Sequence, residues 1–263
     1  MINLRPSSVG GFHDCQFRWF NIHVLGITSW SGYKAVRGTG VHSSAELIWE
    51  ESIKAGQKTF SLDAAKDAAA QSVKDAFKSD RQEVRLYDFE TQEGAIDDAV
   101  RGAEVYASEI VPNVTIPTQV ETYLKANISD GISLNGTFDA FSTDGTIRDI
   151  KTSSKKATPS KFIDQMSIYA RLAEVNGMKP NMKYSIENIV FLKNDIKAHI
   201  MEGEVNIPQT QLKIDDMVNR YKWYKEHPED GQMVYPANTS SYLCHEKYCP
   251  VYHECYLRNK SPF

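Results

Sequence analysis

Long apolar runs are absent from the chain. Nothing approaches the roughly 20 consecutive apolar residues of a membrane helix, and the opening MINLRPSSVGGF holds no apolar stretch long enough for a signal peptide. A soluble, cytoplasmic protein is therefore expected, in a compartment that keeps thiols reduced. Excess basic charge is absent too: 30 Lys plus Arg face 34 Asp plus Glu, a formal net charge of −4. That balance excludes a histone-like protein that binds nucleic acid by bulk charge, and it leaves room for a local basic groove. Glycine (15) and proline (10) are too few for a collagen-like or low-complexity chain. Cysteine is scarce, with four residues in 263.

What is present suits a packed fold. Hydrophobic residues make up 41% and aromatic residues 11% of the chain, enough to bury a core. The length allows one large domain or two small ones. Residues 8–24 read as a helix capped by Ser7 or Ser8, followed by helices over about 40–54, 63–78 and 90–110. The stretch 83–109 carries eight acids against two arginines, the pattern of a solvated face. After Pro112 the texture turns to short β-rich segments, TQVETYLKANI, ISLNGTFDAFS and GTIRDIKTS, broken by Ser-Asp-Gly and Thr-Asp-Gly turns. A helix follows with Thr158 as cap, Pro159 in its first position and Gly177 at its end. Two more strands, around SIENIVFLK and AHIMEGEVNI, precede a helix from Gln209 to about Glu226. The order predicts a single mixed-sheet α/β domain over 1–263, with residues 60–112 as a helical insertion.

One constellation carries chemistry. Asp139 ends a strand-like segment, and across a Thr-Asp-Gly turn come Asp149 and Lys151. A hairpin brings the two aspartates together, and period-two alternation puts Asp149 and Lys151 on one face. Two carboxylates and an ammonium on one patch suit a divalent metal with the lysine directed at a water or phosphate oxygen; a surface hairpin with an ordinary salt bridge is the bland reading. Gln165 and Tyr169 share one helical face, as do His42 and Glu46. Lys151, Lys155, Lys156 and Lys161 form a basic strip suited to phosphate contacts, or a solvated loop.

Taken in order, Gly38-x-Gly40-x-His42, GTFD ending at Asp139, Asp149-Ile150-Lys151 and Gln165-xxx-Tyr169 resemble the PD-(D/E)XK nucleases. More narrowly they are similar to the RecB-type exonucleases, the branch that includes the CRISPR-associated exonuclease family and the AddB nuclease domain. The resemblance spans about residues 5–258. It implies a restriction-endonuclease-like core, a mixed central sheet flanked by helices. It also implies that His42, Asp139, Asp149 and the Ile150 carbonyl hold Mg2+ or Mn2+, that Lys151 positions the attacking water, and that Gln165 and Tyr169 shape the site. Glu121 is an accessory candidate.

Three of the four cysteines, Cys244, Cys249 and Cys255, fall in SYLCHEKYCPVYHECYLR, and the fourth is Cys15. The residues alone allow disulfides, a four-cysteine zinc site or an iron–sulfur cluster. The resemblance implies a 4Fe–4S cluster held by Cys15 and the trio, with residues 240–258 as the C-terminal cysteine segment and zinc as the less favoured occupant. The function implied is a metal-dependent DNA exonuclease acting on single-stranded or free ends, in recombination, repair, phage replication or CRISPR adaptation. No helicase phosphate loop occurs, so unwinding calls for a helicase or other partner protein. Trp19, Phe20, Trp30, Tyr33 and Trp49 are candidates for a base-stacking platform. The alternatives are a non-catalytic DNA-end-binding subunit and a site-specific endonuclease.

Overall fold

A computed structural model describes residues 2–258. In chain order the elements are β1 (Ile2–Leu4), α1 (Pro6–Asp14), α2 (Gln16–His23), β2 (Ser31–Gly32), α3 (Tyr33–Ala55), α4 (Leu62–Lys78), β3 (Val84–Arg85) and α5 (Gln92–Val105). They continue as β4 (Pro117–Ser129), β5 (Ile132–Ser142), β6 (Ile147–Ser153), α6 (Ile163–Val175), β7 (Lys183–Phe191), β8 (Ile196–Glu204) and α7 (Ile207–Glu226). Among the described residues no helix is long and apolar enough to cross a membrane.

The helix predicted over 8–24 is two helices. Cys15 lies between them in an extended conformation (φ −151°, ψ 101°), and the first helix starts at Pro6 with Arg5, not a serine, in the capping position. The break turns the cysteine out of the helical register. The helix predicted from Thr158 also starts differently: Thr158 makes no capping bond, Pro159–Phe162 is a 3-10 turn, and the α-helix begins at Ile163. The predicted 90–110 helix is α5 followed by one π turn, Tyr106–Ile110. Elsewhere local chemistry works as expected. Ser61 accepts from the Ala64 amide, Thr91 from Gly94 and Asn206 from Gln209, each fixing a helix start.

Six strands form one mixed sheet in the order β1-β5-β6-β7-β8, with β4 on the other edge of β5. β4 and β5 are antiparallel over their whole lengths, whereas β6 and β7 are parallel and joined across α6. The edge of β5 that faces away from β4 is shared. Ile132–Leu134 pairs with β1, and only Ala140 and Phe141 pair with β6. The ladder between β5 and β6 therefore stops at Asp139.

Each face of the sheet is covered by helices. On one side Leu4, Phe12, Phe138, Ile147, Tyr169, Ile186 and Met217 join α1, α6 and α7 in the largest core. On the other, Val41, Ile48 and Trp49 of α3 pack with Ile150, Ile189 and Phe191. Beyond α3, the insertion forms its own small core from Val36, Ala69, Val73, Ala95, Ala99 and Ala103. Alanine faces let these helices approach closely. At Gly40 a Cβ would stand 2.7 Å from Ala99 Cβ and 2.8 Å from the Ala69 carbonyl, so only glycine fits.

Candidate active site

Side-chain alternation sends neighbours on β6 to opposite faces. Asp149 and Lys151 point toward α6, while Arg148, Ile150 and Thr152 point toward α3. On β5 the order puts Asp139 on the α3 side, one residue after buried Phe138. Because the β5–β6 ladder ends there, the Asp139 carboxylate reaches across the opening. Its Oδ2 accepts from the Ile150 amide at 2.5 Å, replacing the missing backbone partner. The site thus lies at a seam where both faces of the sheet meet.

α3 delivers the histidine. A Cβ at Gly38 would meet Thr152 Oγ1 at 2.7 Å, so the bare glycine lets the helix lie against β6. One turn on, His42 Nδ1 lies 3.2 Å from Asp139 Oδ1. A carboxylate only accepts, so this bond places the Nδ1 proton and leaves Nε2 as the ring's other nitrogen. On the α6 side, Lys151 Nζ lies 2.5 Å from Asp149 Oδ2, and Gln165 Nε2 donates to Asp149 Oδ1 at 3.2 Å. The Tyr169 hydroxyl donates to the Thr137 carbonyl at 2.6 Å, bracing β5 just before Asp139. Tyr169 therefore holds the strand and does not open onto the cleft.

Glu121 enters by strand register. The pairs Val120–Ala140 and Thr122–Phe138 bracket it, which puts it across β4–β5 from Asp139. Its backbone has φ +43°, a left-handed conformation disfavoured for glutamate and uncommon within a strand. His42, Glu121 and Asp139 bring one ligand atom each within 4.8 Å of one another, alone in doing so among the described residues. Asp149 stands outside that trio, occupied by Lys151 and Gln165. The accessory residue of the sequence thus joins His42 and Asp139, and its only sequence signal is its place opposite Asp139 once the hairpin register is drawn.

Protonation reflects crowded negative charge. Burial pushes the Glu121 carboxyl up to about 7, and the charge of Asp139 adds to it. Burial alone would lower His42, yet Asp139 raises it to about 9 by charge and hydrogen bond. Burial raises Asp139 as well, but His42 and Lys151 more than offset this and hold it below the usual range. Asp149 is pushed up to about 6 by burial, with Lys151 opposing and Asp139 reinforcing. Protons are retained where a divalent cation would displace them, and the donor set of one imidazole and several carboxylates fits Mg2+ or Mn2+.

His42, Glu121, Asp139 and Lys151 line an open cleft of about 590 Å³, together with Lys34, Gly38, Thr39, Glu46 and Thr152. Lys155, Lys156 and Lys161 are exposed on the stretch after β6. Behind the cleft, a buried network stiffens the sheet. Arg148 pairs with Glu187 at 2.5 Å, the Tyr106 hydroxyl donates to Glu187, and Trp49 donates to Tyr106. These partners tie α3, β6 and β7 to the π turn. Trp49, Trp19 and Phe20 are core residues, which removes them from any stacking platform. Trp30 is engaged by the Arg85 guanidinium above its ring and by the Lys247 carbonyl.

The four cysteines line one small cavity with Phe17, Arg18, Leu243 and Tyr252. None is in a disulfide; Cys249 and Cys255 are buried. The Asn238 amide lies 3.5 Å from Cys15 Sγ and Arg258 Nη2 lies 3.5 Å from Cys244 Sγ. Arg18 Nε is buried in the same region with no hydrogen-bond partner.

Among solved structures, a protein of Eubacterium rectale whose name proposes exonuclease activity aligns over 99% of this chain and 90% of its own, at 13% identity and a TM-score of 0.58. That likeness concerns the fold. SSO0001 aligns over 54% of this chain and 61% of its own, at 17% identity and a TM-score of 0.34. No curated protein matches the chain. The PD-(D/E)XK nuclease superfamily model matches residues 3–256. Its span takes in both the seam and the cysteine cavity, and the chain belongs to the PD-(D/E)XK nuclease superfamily.

Proposed function

We propose that the protein is a divalent-metal-dependent deoxyribonuclease of the RecB-like branch that works as an exonuclease on single-stranded DNA ends. The observation that carries this reading is the seam: His42, Asp139 and Lys151 converge from α3, β5 and β6 at one open cleft, with Asp149 paired to Lys151. Asp139, Asp149, His42 and the Ile150 carbonyl are the proposed holders of Mg2+ or Mn2+, with Glu121 beside them. When bound, such a cation supplies charge for the scissile phosphate and lowers the pKa of a water. Lys151, fixed by Asp149, orients the attacking water and offsets charge growing on the phosphate oxygens. Gln165 keeps Asp149 turned toward Lys151, and Tyr169, held neutral by burial and by the nearby aspartates, keeps β5 in place.

The same reading assigns a 4Fe–4S cluster to Cys15, Cys244, Cys249 and Cys255. One observation supports a metal–thiolate centre: the four cysteines line one cavity whose wall holds Arg18 Nε, buried without a partner and suited to net negative charge. The preference for iron–sulfur over zinc comes from the resemblance to the RecB-type branch. Iron and labile-sulfide content of the purified protein checks the assignment; one zinc and no iron would overturn it.

The activity is tested with labelled linear single-stranded, linear duplex and circular DNA, with Mg2+ or Mn2+. Degradation of linear single strands and sparing of circles is expected, and the Lys151→Ala protein is expected to be inactive. Cleavage of circles would instead favour an endonuclease, and DNA binding without cleavage a non-catalytic end-binding subunit.

A further inference from the structure

Phe89 is a fully exposed aromatic side chain, and it sits on a turn that is anything but loose. The Tyr87 amide donates to Glu90 Oε2, and the Glu90 amide returns a bond to the Tyr87 carbonyl, both at 3.0 Å. Asp88 between them has φ +54°. Lys247, which lies between Cys244 and Cys249, clamps this turn from outside. Its Nζ donates to Glu90 Oε1 at 3.3 Å and lies 4.5 Å from the centre of the Tyr87 ring. The cysteine segment thus fixes a turn that presents a bare phenyl ring to water.

Under the turn is a depression of about 330 Å³ lined by Tyr33, Tyr87, Phe89 and Gly94 together with Asp88 and Glu90. Gly94 lies against the edge of the Tyr33 ring: an added Cβ would stand only 3.3 Å from its hydroxyl. Two nearby carboxylates are already matched, Glu90 by Lys247 and Asp98 by Arg37 and the Tyr33 hydroxyl. Asp88 also lines the depression, so it does not attract phosphate, but its rings offer planar faces to a planar base. It also adjoins the candidate active site. Tyr33 belongs to this depression, and the next residue, Lys34, lines the catalytic cleft.

We propose that Phe89, Tyr87 and Tyr33 form a base-stacking subsite for single-stranded DNA leading into the cleft, held in shape by Lys247 of the cysteine segment. The proposal rests on the nuclease reading and adds to it the place where an unpaired base is gripped. Nucleobases stack on aromatic rings with little regard to sequence, which suits an enzyme that processes ends of any composition. Lys34, next to Tyr33 in α3 and in the wall of the cleft, is the cation placed to meet the connecting phosphates.

The test uses phosphorothioate-linked oligonucleotides, which resist cleavage, with 2-aminopurine placed at successive positions from the end, in Mg2+. The wild-type protein is expected to alter the fluorescence at one or two positions. Phe89→Ala is expected to abolish that change and to weaken binding about tenfold, within the range for losing one base stack, and Phe89→Trp to restore both. Because Phe89 is fully exposed, its truncation leaves the core intact. Unchanged binding and fluorescence in Phe89→Ala, in a preparation whose wild type degrades linear single strands, would overturn the subsite and leave the nuclease reading standing. A wild-type protein that neither binds nor degrades single strands would overturn both.

Discussion

The cleft and the cysteine cavity are both assembled from distant parts of the chain, and they are held together in opposite ways. Around the cleft every functional side chain hangs on a helix or strand: His42 on α3, Glu121 on β4, Asp139 on β5, Asp149 and Lys151 on β6. Hydrogen bonds between these groups fix their rotamers. Around the cavity, the three C-terminal cysteines lie between successive turns, and from Tyr235 to Arg258 the described chain forms no helix or strand. A small cluster of Phe17, Val251, Tyr252 and Tyr256 with three of the cysteines holds that segment, helped by side-chain bonds such as Ser241 to Asp14 and Lys247 to Glu90. A site carried by a packed sheet keeps its shape without its ligand. One made of turns depends on whatever its thiols bind.

The sharpest way to break that contrast is to remove chemistry from the cleft and look for unfolding. Asp149→Asn is expected to cut DNA cleavage roughly 10³-fold, as for loss of a central electrostatic group, with no fall in Tm at neutral pH. The sign follows from linkage. In the folded protein Asp149 titrates near 6, above its usual 3.8. Its favourable contribution is present below the unfolded value and is lost as pH rises through about 6, so at neutral pH the buried charge is a net cost. Asparagine removes that cost, and its amide oxygen can still accept from the Lys151 ammonium that Asp149 pairs with. A large drop in Tm would mean that the seam is held by its charges and not by the scaffold.

The cavity is expected to respond in reverse. Cys249→Ser removes one ligand of the proposed centre, which would close a loop of more than 200 residues, and the loop-closure model puts such a link at about 5 kcal/mol. For a chain of this size that lowers Tm by roughly 10 °C. Limited proteolysis is expected to cut first within residues 235–258, while circular dichroism retains the helices and the sheet. Full thermal stability with bound metal lost would show that the turns hold themselves.

A smaller effect separates packing from chemistry within the cleft. Gly38→Ala drives a methyl to within 2.7 Å of Thr152 Oγ1. Overpacking of this kind costs about 1–3 kcal/mol, and α3 can relieve it only by moving His42. Activity is expected to fall about tenfold. The double variant Gly38→Ala, Thr152→Ala is expected to recover most of it, because the hydroxyl that blocks the methyl is gone. Failure of that rescue would assign the loss to helix dynamics and not to contact with β6.

These contrasts also mark what was legible in the sequence. The hairpin residues Asp139, Asp149 and Lys151 could be placed together because strand alternation and a short turn leave little freedom. The Gly38-x-Gly40-x-His42 run was legible as a motif, but not why its glycines are there: each faces a different neighbour, β6 for one and the insertion for the other. Cys15 was read inside one continuous helix because nothing local disfavours helix at that point; the break is imposed by the cavity that the C-terminal segment builds. Of the aromatics the sequence offers for stacking, Trp19, Phe20 and Trp49 fail for a similar reason, while Tyr33 lines the depression beside Phe89. A tryptophan reads the same in a sequence whether buried, like Trp19 and Trp49, or exposed, and only tertiary packing decides.

The least conspicuous carboxylate gives the finest test. Glu121 is forced into a left-handed backbone conformation opposite Asp139, and its carboxyl is pushed up to about 7 by burial and by that neighbour. Such an arrangement costs stability, and the cost is recovered only when a cation sits among the carboxylates. Glu121→Gln keeps the shape and removes the charge. Tm without metal is expected to rise by a few degrees at pH 8, where the wild-type carboxylate is ionised, and to change little at pH 5, where it is protonated. The Mg2+ concentration for half-maximal cleavage is expected to rise about tenfold, since one charge fewer faces the cation. If the metal requirement stays the same while Tm rises, Glu121 only burdens the strand. If the requirement rises in step with Tm, the strained strand position is what places the charge where the metal needs it.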